Sequence, residues 1–239
     1  MTEAVTERDD VALAELLAAT SLPRPSDGSW VAVNMVVSVD GRSAAGGRVG
    51  ALSSLADKAL FGHLRTEADV VLVGAGTVRA ERYGSVRVGE GAAARRRARG
   101  QAPVPPLAVV TRSGAVPAHL FDLDPAPIVC TSEHGARELA ATGRAVDTVV
   151  TGTSEVDLPA TLARLASRGL RTVLCEGGEQ LNASLLAADL VDEWFVTLAP
   201  VLGGDDVGLA GRHDGLVGLT LRSVARLGDD VFLRYARRR

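Results

Sequence analysis

The chain has 239 residues, of which 46% are hydrophobic and 23% are charged, and its formal net charge is −3. A chain of this size can bury a substantial core in one large domain or two small ones. No apolar run approaches the roughly 18 residues of a membrane span, and the acidic N-terminus does not resemble a signal peptide. We therefore expect a cytoplasmic protein with no membrane partner.

Arginine supplies nearly all of the positive charge, because Lys58 is the only lysine. Two arginine runs, at residues 95–97 and 237–239, are of a type that can contact nucleic acid. No aromatic residues are interleaved with them and the chain as a whole is acidic, so we expect a solvated loop, a solvated tail and no nucleic-acid partner. Cys130 and Cys175 lie in apolar runs and are expected to be buried core residues, not a disulfide.

The N-terminal part of the chain leads into the first strand. Residues 9–20 predict a short amphipathic helix, and residues 22–29 form a linker rich in Pro, Ser and Gly. We therefore treat residues 1–29 as an extension that precedes a domain of residues 30–239. That domain begins with a predicted strand, residues 30–39, which is followed by a turn.

A helix and a glycine turn come next. Ser53 or Ser54 can cap a helix that ends at Glu67, and its expected inward-facing residues are Leu55, Leu60, Phe61 and Leu64. Residues 69–78 then read as a buried strand, a Gly74-Ala75-Gly76 turn and Thr77 as N-cap of a helix. Arg79 occupies the third glycine position of the dinucleotide fingerprint, so a Rossmann domain is not supported.

The middle of the chain alternates strands and helices after one long irregular stretch. Residues 83–106 are rich in Gly, Ala and Arg, and their length predicts a flexible or functional loop. The strands expected after it are residues 107–111, 127–131 and 146–151, and the expected helices are residues 133–141 and 158–167.

A second glycine turn lies between residues 171 and 186. An apolar strand there runs into Gly177-Gly178 and then into a helix, whose first turn presents N–H groups suited to a phosphate or pyrophosphate. Two glycine-turned strand ends predict a shared ligand crevice at the carboxyl edge of the sheet. The last strands, residues 192–198, 220–227 and 230–236, lack intervening helices, and Gly228-Asp229 is a hairpin signal. The predicted fold is α/β, with a mostly parallel sheet and an antiparallel C-terminal hairpin.

Several chemistries are disfavoured by the motifs. The four histidines and two cysteines are scattered without metal-ligand spacing, so we expect no metal site. Neither a G-x-S-x-G elbow nor a Walker A sequence occurs. A site that is rich in glycine turns and hydroxyls but poor in nucleophiles and bases fits a reaction whose chemistry is performed by a bound cofactor. Hydride transfer from a nicotinamide is the leading example.

Five groups of residues, in this order along residues 30–235, resemble the reductase domain of bacterial riboflavin biosynthesis, which is the C-terminal domain of the bifunctional deaminase-reductase. The groups are residues 34–41 (NMVVSVDG), Leu64-Arg65 ahead of Ala68-Asp69, residues 73–78 (VGAGTV), Glu176-Gly177-Gly178, and Ala199-Pro200 followed by Gly203-Gly204.

The resemblance implies a three-layer sandwich similar to dihydrofolate reductase, and a homodimer. It also implies an NADPH-dependent oxidoreductase that acts on a phosphorylated ribosylaminopyrimidine, most similar to 5-amino-6-(5-phosphoribosylamino)uracil reductase, with hydride delivered to the ribosyl C1′. Two alternatives stay open: a reductase of a pterin or other heterocycle, and an NADP-binding protein without turnover.

The resemblance also implies roles for individual residues. The implied cofactor-binding residues are Gly74, Gly76, Thr77, Thr111, Arg112, Ser113, Gly177, Gly178, Glu179 and Ser53. Two groups of these residues are assigned to the cofactor pyrophosphate: Gly74, Gly76 and Thr77 at the first glycine turn, and Gly177, Gly178 and Glu179 at the second. Thr111-Arg112-Ser113 is assigned to the 2′-phosphate, because a guanidinium can make a forked contact to phosphate. The implied catalytic residues are Ser38, Asp40 and Glu176, and the substrate-binding residues are Asn34, Lys58, Arg79, Arg82 and Arg87.

Each of these assignments has a plainer alternative, and the chain departs from the family on its substrate side. Asp40-Gly41 and the 111–113 tripeptide are also ordinary turn sequences, Ser53 is also a helix-capping residue, and Glu176 is also a charge near a helix start. The family's Asp-Asp-Pro segment is replaced by Glu81-Arg82-Tyr83. A tryptophan of the family is Ala51 here, and an arginine is Lys58.

Overall fold

The apolar runs of the sequence form one nine-stranded sheet at the centre of the molecule. The structure is a computed structural model that describes residues 7–213 and 215–238. In chain order its elements are α1 (Glu7–Ala19), β1 (Trp30–Ser38), α2 (Leu55–Glu67), β2 (Val70–Gly74), α3 (Ala75–Ala80), α4 (Glu90–Ala98), β3 (Leu107–Thr111), the 3-10 helix η1 (Ala118–Asp122), β4 (Ile128–Thr131), α5 (Glu133–Ala141), β5 (Asp147–Val150), α6 (Leu158–Ser167), β6 (Thr172–Cys175), α7 (Glu179–Ala187), β7 (Glu193–Ala199), β8 (Leu219–Leu227) and β9 (Asp230–Arg237).

The strands lie in the order β5-β4-β3-β2-β6-β1-β7-β9-β8. All neighbouring pairs from β5 to β7 are parallel, whereas β9 is antiparallel to both β7 and β8. The predicted mostly parallel sheet with an antiparallel C-terminal hairpin is therefore confirmed. Because the parallel strands share one direction, their carboxyl ends all meet at one edge of the sheet.

Helices cover both faces of the sheet, because alternate strand residues point to opposite faces. On one face, Val31 and Val33 pack in a cluster with α6 and α7. On the other face, Ala32 and Leu174 pack with α1 and α2. A further cluster around Val71 joins the strands to α3 and η1. The sheet is the middle of three layers, and α1 of the predicted N-terminal extension packs on the domain.

The N-cap of α2 is one of the two predicted serines, whereas the N-cap of α3 differs from the predicted residue. Ser54 is the N-cap of α2 and accepts from the backbone N–H of Asp57. Leu55, predicted to face inward, is 65% exposed because it occupies the first turn on the solvent side. Thr77 was predicted as an N-cap, but α3 already begins at Ala75 with Gly74 as its cap, so Thr77 lies inside the helix.

The stretch 83–106 is not the long loop that its composition predicts. It contains α4, and Arg96 within that helix is fully buried. The Arg96 guanidinium donates to the carbonyls of Ala102 and Thr66, at 2.8 and 2.9 Å, and also to that of Ala68. The prediction of a solvated arginine run is therefore wrong at Arg96, which ties α4 to the end of α2.

Two further sequence features are placed by the structure. Cys130 and Cys175 are both buried and unpaired within the core, as predicted. Burial raises the pKa of each thiol to about 12. Among the helices in residues 7–213 and 215–238, none has the length and apolar character needed to cross a membrane.

Candidate active site

The two glycine turns meet at the carboxyl edge of the sheet. β2 and β6 are parallel neighbours, and the backbone N–H of Gly74 donates to the carbonyl of Gly177 at 2.8 Å. The N–H of Glu176 donates to the carbonyl of Leu72 at 3.0 Å, which continues the same ladder. The crevice predicted from the two turns is therefore present, because the strands that carry them lie side by side.

The second turn has the backbone geometry that requires glycine. Gly177 has a φ of +83°, and the peptide bond from Gly177 to Gly178 is cis. A Cβ on Gly178 would lie 2.6 Å from Oγ1 of Thr77, and one on Gly177 would lie 3.1 Å from Sδ of Met35. The turn thus packs directly on α3 and β1, and a side chain at Gly178 has no room.

A cavity of about 1160 Å³ opens above these turns. It exceeds the roughly 300–1000 Å³ of a typical small-molecule pocket, so it has room for a dinucleotide and a second ligand. The predicted site residues that line it are Asn34, Ser53, Lys58, Gly74, Gly76, Thr77, Arg79, Thr111, Arg112, Ser113, Glu176, Gly178 and Glu179. Five other predicted residues are not among its lining: Ser38, Asp40, Gly177, Arg82 and Arg87.

Ser38 and Asp40, which do not line the cavity, are joined by a hydrogen bond. The Ser38 hydroxyl donates to Oδ1 of Asp40 at 2.7 Å, and the backbone N–H of Gly203 donates to the same oxygen at 2.9 Å. The hydrogen bonds from Ser38 and Gly203 lower the pKa of Asp40. These hydrogen bonds tie the turn after β1 to the loop that carries Gly203, and the catalytic role expected of Ser38 and Asp40 stays a prediction.

Arg82 and Arg87, which were predicted to bind substrate, are not among the residues that line the cavity. Both side chains are exposed, while Tyr83 and Val86 of the same segment pack inward against the cluster around Val71. Arg82 precedes this packed segment in the chain and Arg87 follows it. Their role in binding substrate stays a prediction.

Glu176 is held by two residues that the sequence did not assign to the site. Its carboxylate accepts from Nε and Nη2 of Arg65 and from the hydroxyl of Tyr83, all three at 2.7 Å. The Arg65 guanidinium also stacks on the ring of Phe61, 4.0 Å from the centroid. Burial, followed by the charge of Glu176, raises the pKa of Tyr83 well above its ordinary value, so Tyr83 is a neutral donor.

The cavity lining also includes two side chains, each with a buried oxygen that lacks a hydrogen-bond partner among the described residues. Oδ1 of Asn34 and Oδ1 of Asp57 both lack a partner among the described residues, and both side chains line the cavity. Asn34 was predicted to bind substrate, whereas Asp57 was not singled out. The sequence offers no signal for Asp57, because an acidic residue in the first turn of a helix is commonplace.

The residues predicted to bind the 2′-phosphate also line the cavity. Nη1 of Arg112 pairs with Oε1 of Glu155 at 3.1 Å, and both side chains are about 70% exposed. An exposed pair of this kind contributes only about 0–1 kcal/mol, so Arg112 can exchange Glu155 for a phosphate at little cost. The side chain of Glu179 already has a partner, because its Oε2 accepts from the backbone N–H of Gly208 at 2.9 Å.

Comparison with known proteins identifies relatives along nearly the whole chain. The model of the RibD C-terminal domain family matches residues 29–233. A protein of Methanothermobacter thermautotrophicus named 2,5-diamino-6-ribosylamino-4(3H)-pyrimidinone 5′-phosphate reductase is 32% identical over 218 residues, which cover 86% of this chain and 97% of the relative. A protein of the same name from Archaeoglobus fulgidus is 30% identical over 182 residues, covering 74% and 83% respectively.

A solved structure has the same fold over almost its full length. The pyrimidine reductase-like protein of Corynebacterium diphtheriae superimposes with a TM-score of 0.83 at 25% sequence identity, covering 95% of this chain and 99% of that one. The similarity therefore extends over almost the whole of both chains.

Proposed function

The chain belongs to the RibD C-terminal domain family, and on that premise we propose that it is an NADPH-dependent reductase of a phosphorylated ribosylaminopyrimidine in riboflavin biosynthesis. The named relatives that match it are reductases of such a compound. The observation that carries the proposal is one cavity whose lining includes both glycine turns and the unpaired side-chain oxygens of Asn34 and Asp57.

The cofactor end of the cavity fits a dinucleotide. A Cβ at Gly76 would meet no protein atom within 4 Å, so a ligand can approach the backbone of this turn closely. Gly74 and the hydroxyl-bearing Thr77 line the same cavity. Backbone approach of this kind suits a pyrophosphate. Arg112, between Thr111 and Ser113, would take the 2′-phosphate that distinguishes NADPH from NADH. The cofactor, when bound, would supply the hydride.

The chain's own residues would orient the sugar and exclude water. Glu176 is fixed by Arg65 and Tyr83 and lines the cavity, and its oxygens retain lone pairs that can accept from a sugar hydroxyl. In the open imine form of the substrate, C1′ would receive the hydride and the attached nitrogen a proton. Water or an acid of the cavity wall would supply that proton.

Two cations line the cavity at positions suited to the substrate's phosphate. Lys58 is in the first turns of α2 and Arg79 is near the end of α3, and both contribute to the cavity wall. A phosphate monoester needs cationic partners when it leaves water. The replacement of the family's arginine by Lys58 keeps the charge and gives up the forked geometry.

The test is NADPH oxidation followed by absorbance, with the ribosylaminopyrimidine phosphate and dihydrofolate as parallel substrates. Turnover of the pyrimidine supports the proposal. Turnover of dihydrofolate alone would make the protein a pterin reductase, and tight NADPH binding without turnover of either would make it a nucleotide-binding protein. The homodimer expected from the resemblance remains a prediction, which sedimentation of the purified protein can check.

A further inference from the structure

A glutamate faces the arginine to which the proposed function assigns the 2′-phosphate of the cofactor. Nη1 of Arg112 donates to Oε1 of Glu155 at 3.1 Å, and both residues line the cavity. A carboxylate at this place works against phosphate binding, because its negative charge repels a phosphate and because it occupies a donor that the phosphate needs. The presence of Glu155 therefore calls for a role of its own.

The backbone of Arg112 is fixed by the neighbouring strand and helix. Arg112 directly follows β3, and its carbonyl accepts from the hydroxyl of Ser132, which follows β4, at 3.0 Å. The carbonyl of Thr111 accepts from the hydroxyl of Thr131 at 2.6 Å. A Cβ on Gly135, in the first turn of α5, would lie 2.5 Å from the carbonyl oxygen of Arg112, so α5 packs directly on this turn. The base of the arginine side chain is thus held at the end of β4.

The loop that carries Glu155 is tied to the same end of β4. This loop connects β5 to α6, and the backbone N–H of Thr151 donates to the carbonyl of Thr131 at 2.9 Å. The carbonyl of Gly152 accepts from the N–H of Glu133, also at 2.9 Å. Gly152 has a φ of +72°, and a Cβ there would clash with the carbonyl oxygen of Glu155. Because β4 lies between β3 and β5, two fixed backbones bring the acid and the arginine together across the end of one strand.

The ion pair itself can open, because both of its side chains are in contact with water. The side chain of Arg112 is 70% exposed and that of Glu155 is 71% exposed. An exposed pair of this kind contributes little to stability, so a ligand with a better partner for either residue can separate them. A phosphate monoester is such a partner for the guanidinium, and a sugar hydroxyl can donate to the carboxylate.

The two nicotinamide cofactors differ in one group of the kind that this pair can recognise. NADPH carries a phosphate on the 2′ oxygen of its adenosine, whereas NADH carries a free hydroxyl there. In dinucleotide-binding domains an acid accepts from that hydroxyl, and an arginine accommodates the phosphate. The cavity of this chain holds one residue of each kind, in contact with each other.

We infer that Glu155 limits the preference of this protein for NADPH over NADH. The inference rests on the proposed function, in which Arg112 takes the 2′-phosphate, and deepens it by naming a residue that opposes this contact. With NADPH, the phosphate has to displace the carboxylate of Glu155 from Arg112 and is repelled by its charge. With NADH, the carboxylate accepts from the 2′-hydroxyl and stays beside the guanidinium, which neutralises it.

The experiment measures the Kd of NADPH and the Kd of NADH by isothermal titration for the wild type and for Glu155→Gln. The amide keeps the size of the side chain and removes its charge, and the exposed position makes the variant compatible with the fold. We expect the Kd of NADPH to fall by roughly 3- to 10-fold and the Kd of NADH to rise by about 2-fold or more. The matched control is Glu138→Gln, an exposed acid of α5 that is not among the residues lining the cavity, and it should change neither Kd.

A second variant, Glu155→Ala, removes the hydrogen-bond acceptor together with the charge. NADPH should again bind more tightly than to the wild type, and NADH should bind more weakly than to Glu155→Gln. An unchanged or higher Kd of NADPH in both variants, or equal tightening of the two cofactors, would overturn the role of Glu155 while leaving the reductase proposal intact. If the wild type binds neither cofactor, the proposed function itself fails and the inference fails with it.

Discussion

The guanidinium of Arg65 holds the carboxylate of Glu176 through two parallel hydrogen bonds of 2.7 Å. The two residues lie 111 positions apart, one near the end of α2 and the other directly after β6. Their side chains are 16% and 1% exposed. Forked pairs of this kind combine charge with fixed geometry, so the pair locks the wall of the cavity where α2 approaches the second glycine turn.

Tyr83→Phe tests the third member of this cluster. Removing the hydroxyl takes one donor from Glu176, and we expect the free energy of unfolding to fall by about 1–3 kcal/mol. The measurement is urea denaturation at neutral pH. A change within about 0.5 kcal/mol would mean that the hydroxyl does not support Glu176.

The same variant should change the pH dependence of stability. The pKa of Tyr83 is raised in the folded state from 10.0, so the stability it contributes is present below pH 10 and is lost as the pH rises above it. The wild type should therefore lose stability between about pH 10 and 11 more steeply than Tyr83→Phe. Identical slopes would show that the phenol is not desolvated.

Arg96→Ala should destabilise the fold although the residue belongs to an arginine run. Burial lowers the pKa of Arg96 to about 10, and its carbonyl partners compensate for that burial. We expect a loss of about 3 kcal/mol or more in the free energy of unfolding, since the carbonyls of Thr66 and Ala68 each lose a buried charged donor. Arg97→Ala, the exposed neighbour, should change it by less than about 0.5 kcal/mol. Equal effects for the two variants would contradict the buried role.

Gly76→Ala separates cofactor binding from folding. A Cβ at Gly76 meets no protein atom within 4 Å, and the residue lies in α3, so alanine should leave stability unchanged or slightly raised. The added methyl group would occupy the proposed pyrophosphate path, and the Kd for NADPH should rise tenfold or more. Isothermal titration measures it. Unchanged affinity would place the cofactor elsewhere.

Arg112→Ala should alter the choice between the two nicotinamide cofactors. The side chain is exposed and its present partner is Glu155, so the fold does not depend on it. We expect NADPH binding to weaken by roughly 10- to 100-fold and NADH binding to change little, because only NADPH carries the 2′-phosphate. Glu155→Gln is the control for loss of the ion pair alone. Equal weakening of both cofactors would refute the 2′-phosphate assignment.

Local signals in the sequence were sufficient for most of the fold and for the glycine turns. Apolar strand runs, the serine cap of α2 and the Gly228-Asp229 hairpin each depend on neighbours along the chain, and each has its predicted place in the structure. The part of the cavity beside the glycine turns follows from the same logic. Parallel strands that end in glycine have to meet at one edge of the sheet.

The substrate end depends on contacts that no local pattern encodes. Arg65 and Tyr83 reach Glu176 across long chain separations, and Arg96 binds carbonyls about 30 residues away. Even helix α4 was missed, because its Gly, Ala and Arg composition lacks the apolar periodicity from which a helix is predicted.

We propose that this cavity brings a nicotinamide together with the sugar of a ribosylaminopyrimidine phosphate. The most direct test is a single turnover with NADPH deuterated at the transferring C4 position, followed by mass spectrometry of the pyrimidine product. We predict one deuterium per molecule, carried at C1′ of the new ribityl chain. A product without deuterium at C1′, or deuterium that is transferred only to dihydrofolate, would contradict the account.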